Sequence, residues 1–140
     1  MGVEYNVYLT LLAGIVFELA GGNIYTFGTY SQQVKGRLFA GDPHAQTKIQ
    51  ALALASNIGC YLPISGFWYD SKFGGPQSTV LIGAVFTFAG YFCLYLGMTG
   101  TAMPYWLLLA ACGLWGHGSG YWDVTAMTTN IKNFPNHTVV

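Results

Sequence analysis

The chain has 140 residues, about one ordinary domain, but only 7% of them are charged, and its five basic and five acidic side chains give zero net charge. Soluble domains carry roughly 25% charged residues, so this composition excludes a water-soluble surface, which would expose large apolar patches. Without a basic patch to neutralise phosphates, nucleic acid is excluded as a partner.

The start has no basic region of the kind that precedes a cleaved signal peptide. Met1-Gly2 fails as a myristoylation site because Asn6 stands where Ser or Thr is needed. The first predicted span covers residues 5–30 and carries one charge, Glu18. At about 1.5 Å per residue it crosses a hydrocarbon layer of roughly 30 Å. Gly21-Gly22-Asn23 is a predicted kink. On a helical wheel Glu18 shares a face with Gly14, Gly21, Gly22 and Tyr25. Leu9, Leu12, Val16 and Phe27 form the opposite, lipid-facing side. Residues 31–48 are polar and are predicted as a connecting loop, with a frayed helical extension over 34–39.

The second predicted span, 49–69, is free of charge. Ala51, Ala55 and Gly59 recur every four residues, a ridge on which a second helix backbone can approach closely. Asn57 is its most polar interior group, and Pro63 is expected to kink it. Gly66, Asp70, Lys72 and Gly74-Gly75-Pro76 then form a polar break, read as a reversal at a membrane surface. The third span, 79–98, repeats glycine every seven residues at Gly83, Gly90 and Gly97. Pro104 opens the fourth, 105–127, where Cys112, Gly116 and Gly120 share a narrow face with Asp123. The predicted fold class is therefore all-α: a polytopic transmembrane helix bundle of four spans, with both ends on one side. Run length excludes a transmembrane barrel.

Acids at membrane depth are costly and usually face a cavity, a partner or a proton path. Glu18 and Asp123 are therefore the leading pathway candidates, with Asn23, Tyr25 and Asn57 beside them. The alternative is that each acid is neutral or bonded to Tyr, Ser or Asn neighbours. Asp70 and Lys72 are read either as a gating charge pair or as a solvated turn. His117, within Gly116-His117-Gly118, is read first as a packed histidine and second as a proton relay. Cys60, Cys93 and Cys112 are odd in number and at no metal spacing, so free thiols are expected and no metal site. Asn136-His137-Thr138 matches a glycosylation acceptor and is read as a chance match in a cytosolic tail. No nucleophile–base pair or phosphate loop is visible, so neither an enzyme nor a cofactor is expected.

Gly66, Asp70, Lys72 and Gly74 resemble the loop between the second and third helices of the major facilitator superfamily. Here Ser71 stands where the basic residue is usual, and Gly75-Pro76 where a basic pair is usual. The stretches Gly22-Asn23-Ile24-Tyr25-Thr26-Phe27-Gly28-Thr29-Tyr30-Ser31, Leu81 to Phe86 and Lys132 to Pro135 resemble the nodulin-like branch, in the expected order. The resemblance implies a gradient-driven secondary transporter of a small solute, with twelve helices in two halves. Its first and fourth helices would line the cavity and its third would lie outside. It also implies that both ends of this segment face the cytosol. Counting Lys and Arg points mildly the other way, with three in the first loop and two on the opposite side. On this reading the chain, 1–140, is the N-terminal four-helix portion of a longer carrier, or assembles with further copies of itself. Its partners would be the lipid bilayer, an unidentified solute and the missing remainder. The competing reading is a non-transporting four-span scaffold that organises partners through its small-residue ridges.

Overall fold

A computed structural model of the chain describes residues 7–134. Among the described residues every regular element is helical. The predicted span start at Tyr5, the Pro135 stop and the Asn136 acceptor lie outside that range.

Helix α1 (Val7–Gly21) gives way to a 3₁₀ turn at Gly22–Ile24, and α2 (Phe27–Leu38) follows. The break falls at the predicted kink. Two consecutive glycines are poor helix formers, and the Asn23 side-chain amide donates to the Ala20 carbonyl at 2.7 Å, capping the end of α1. A 3₁₀ turn has 3.0 residues per turn rather than 3.6, so the faces before and after it are out of phase. Leu9, Leu12 and Val16 are exposed as expected. Phe27, expected beside them, is instead only 3% exposed and packs against Tyr30 and Trp115.

The polar stretch after Tyr30 is mostly helix rather than loop. Gln32, Gln33, Lys35 and Arg37 all favour helix, while Val34, fully buried, anchors its inner face. The true loop is residues 39–44, closed by Asp42, whose carboxylate accepts from the His44 N–H at 2.8 Å and from Lys48. Helix α3 (Ala45–Cys60) then stops before Pro63, and α4 (Ile64–Tyr69) restarts behind it. Pro63 thus breaks the second run outright.

The polar break 70–75 is tight because both glycines are needed. Gly75 has φ +101°, and a side chain on Gly74 would collide with the Trp68 and Tyr69 carbonyls. Pro76, expected to close the turn, is the first residue of α5 (Pro76–Met98). Its missing N–H and fixed φ suit that position. Pro104 precedes α6 (Tyr105–Asn133), which runs past the predicted end at 127.

Helix α6 is the hub, packed against α1, α3, α4 and α5. Two glycine faces let it sit between neighbours. On one, Gly113 meets Gly59, Gly116 meets the Ser56 carbonyl and Gly120 meets Cys60. On the other, Gly118 meets Gly83 and Thr87, and the Ala111 carbonyl meets Gly90. The Trp122 indole also donates to the Val80 carbonyl at 3.1 Å. The glycines predicted as ridges are therefore consumed inside the bundle.

Segments 7–38 and 76–98 are long and apolar enough to cross a membrane, by length and composition. The predicted second span is divided at Pro63, and the fourth lies in a helix whose middle holds His117, Ser119 and Asp123.

Candidate functional site

Helices α1 and α6 run antiparallel, with Gly21 opposite Asp123 and Gly14 opposite Asn130. Both glycines are buried, seven residues apart on one face. A Cβ on Gly21 would lie 2.8 Å from Asp123 Oδ1, and one on Gly14 would strike the Asn130 amide. The small-residue face of α1 is thus what admits two polar side chains of α6.

Asp123 is partly buried, and the Cys60 thiol donates to its Oδ2 at 3.6 Å. Glu18 is close enough to feel the charge of Asp123. It lines a groove of about 500 Å³ between α1 and α6, together with Gly14, Ala126 and Asn130. Neither acid forms an ion pair among the described residues, where the two ion pairs are Lys48–Asp42 and Lys132–Asp70.

Tyr25 reaches the rim of this region, where its hydroxyl interacts with that of Tyr61 near Cys60 and Asp123. Asn23 donates to Ala20, while its Oδ1 is buried with no partner among the described residues. Asn57 is different: its amide turns back onto the Ala53 carbonyl of its own helix at 2.9 Å.

Sequence reasoning missed three residues here. Asn130 lies seven residues beyond Asp123, hence on the same helical face, and its Oδ1 is likewise buried and unpartnered among the described residues. That spacing was available as a signal. Cys60 and Tyr61 come into place because the helix ends ahead of Pro63, and spacing alone does not reveal that.

Of the two readings of the loop motif, the structure has the solvated turn and not an Asp70–Lys72 pair. Asp70 pairs with Lys132 at the end of α6, 3.4 Å away, rather than with Lys72. The turn places Lys72 in solvent, and it makes no ion pair among the described residues. Lys132 also lies 4.7 Å over the Tyr69 ring, and the Tyr69 hydroxyl meets Thr129 at 2.9 Å. These contacts pin the end of α4 to the end of α6. Gly74 is buried in the turn, whereas Gly66 has open space around it. His117 is packed as first read. Its Nδ1 lies 3.0 Å from the Gly59 carbonyl, which only accepts, so Nδ1 carries the proton. Phe86 stacks on the ring and Tyr121 meets it edge-on.

At the other end of the bundle, the hydrogen bonds from Lys48 and the His44 N–H hold the Asp42 carboxyl below the usual carboxylate range.

A sequence model of the Nodulin-like family matches residues 7–140. The chain is similar to "Probable transporter mch1" of Aspergillus fumigatus, 24% identical over 142 aligned positions that cover 96% of this chain and 22% of that protein. It is also similar to "Probable transporter MCH1" of Gibberella zeae, 29% identical over 83 residues that cover 59% of this chain and 14% of that protein. The chain thus spans about a fifth or less of the length of the curated relatives it matches. No solved structure matches it significantly.

Proposed function

This chain belongs to the Nodulin-like family, and from that premise we propose that it supplies four membrane passes of a major-facilitator-type secondary carrier for a small solute. The passes are 7–38, 45–69 as a broken helix, 76–98 and 105–133. The observation that carries this reading is that α1 and α6, helices far apart in sequence, bring both acids to one interface: Gly21 of α1 lies against Asp123, and Glu18 shares a groove with Asn130 of α6. Neither acid has an ion-pair partner among the described residues. Glu18 and Asn130 line one largely apolar groove between the two helices, and the Asn23 and Asn130 oxygens are buried without a partner among the described residues. Such groups are retained at membrane depth where a proton or a solute passes. Two curated relatives named as probable transporters support the same role. The scaffold reading draws less support, since the glycines of the small-residue ridges it relies on pack against neighbouring helices inside the bundle.

The test is uptake in vesicles by the full-length protein that carries these residues, with Glu18→Gln and Asp123→Asn. Each substitution keeps the shape and removes the charge. Loss or uncoupling of uptake in either variant supports the assignment. Unaltered uptake in both removes these acids from the mechanism.

A further inference from the structure

The end of the bundle opposite the Asp70–Lys132 pair holds a pocket of about 510 Å³, within the usual range for small-ligand sites. It lies between the 39–44 and 99–104 connections, and Arg37, Asp42, Lys48, Thr101 and Tyr105 are among its lining residues. Its one carboxylate is fully engaged: one Asp42 oxygen accepts from His44 N–H and the other from Lys48. That leaves one positive charge in excess. The Lys48 ammonium is held 5.5 Å from both the Phe39 and the Tyr105 ring centres, and it keeps further N–H donors. Arg37 is exposed and makes no hydrogen bond or ion pair among the described residues. The peptide N–H groups of Ala40, Ala102 and Met103, which also border the pocket, make no hydrogen bond among the described residues either. The pocket therefore offers donors and positive charge, with no free anion of its own.

Its depth identifies the ligand chemistry. The two segments long and apolar enough to cross a membrane, 7–38 and 76–98, both end here. The pocket thus lies at the level of lipid headgroups. We infer that it binds a phosphate-bearing anion, with the planar Arg37 guanidinium as the main clamp and Lys48 as a prepositioned second charge. This rests on the membrane-crossing reading of those segments and is independent of transport.

The experiment uses the full-length protein in phosphatidylcholine nanodiscs and follows its thermal unfolding midpoint. One arm adds inorganic phosphate against a chloride control of equal ionic strength. The other replaces part of the lipid with phosphatidic acid. A rise with phosphatidic acid alone names a lipid headgroup, and a rise with inorganic phosphate names a soluble ligand. Arg37→Gln should weaken the half-saturating concentration by about tenfold or more, and Arg37→Lys by less. Lys72→Gln, at the far end of α5, should leave it unchanged. Three results overturn the inference: no rise with either probe, an undiminished rise in Arg37→Gln, or an equal loss in Lys72→Gln.

Discussion

Replacing Gly90 by Ala tests the close packing of α5 on α6. A Cβ there would lie 2.5 Å from the Ala111 carbonyl oxygen, 2.6 Å from Trp115 Cβ and 2.8 Å from Trp115 N. Ordinary contacts begin near 3.4 Å, so the helices must part by about 0.9 Å, the difference between 3.4 and 2.5. Two of the three obstacles are backbone, so no rotamer change relieves them. Overpacking of this kind costs about 1–3 kcal/mol. The gain in helix propensity offsets at most about 1 kcal/mol. With the full offset the net expectation is a destabilisation of up to about 2 kcal/mol. Gly36→Ala, in α2 with nothing within 4 Å of the added atom, supplies the opposite sign. It gains the propensity, up to about 1 kcal/mol, and meets no obstacle. Denaturant unfolding of the full-length protein in detergent measures both. Equal behaviour of the two variants, or a more stable Gly90→Ala, would refute the close-packing argument.

Other expectations follow from single contacts. Asp70→Asn, at an exposed ion pair, should cost less than about 1 kcal/mol in the same assay; Lys132→Met should cost more, because it also removes the contact over Tyr69. Asp42 has a lowered folded-state pKa, so its contribution is present above the unfolded carboxylate value and lost as pH falls through the folded one. The protection factors of amides in residues 39–45, which divide out the intrinsic pH dependence of exchange, should therefore fall below about pH 4 in the wild type, and be low on both sides of that step in Asp42→Asn. N-ethylmaleimide should modify the partly exposed Cys93 before the buried Cys60 and Cys112, read by mass of the labelled peptides; prior labelling of Cys112 would contradict the fully enclosed position on α6.

Helix existence was legible because lipid-facing runs of Leu, Val and Phe carry their own length signal. The Gly14–Gly21 face was legible too, since both glycines fall on one stripe and point where Glu18 does. Phe27 was misplaced because a wheel assumes one constant pitch, and the 3₁₀ turn at Gly22 resets it. The polar residues 31–38 looked like loop because charge was weighed above helix propensity. For Asp70 and Lys72 the sequence left a charge pair and a solvated turn both open, and the partner Asp70 does take lies 62 residues away. No local pattern encodes that distance. Asn57 looked equivalent to Asn23, and both amides do turn back onto their own helix, Asn57 onto Ala53 and Asn23 onto Ala20, but only the Asn23 oxygen is buried without a partner among the described residues.

The arrangement around α6 also bears on how the protein is made. Among the described residues α1, α3, α4 and α5 touch one another only lightly, and most of their packing is with α6, which follows them in the chain. On the four-pass reading proposed above, segments inserted before α6 would wait in the lipid as loosely held hairpins, with Gly59, Gly83 and Gly90 facing acyl chains. Only when residues 105–133 leave the ribosome can the set lock together. Synthesis interrupted before that point should yield a product that membrane proteases remove quickly.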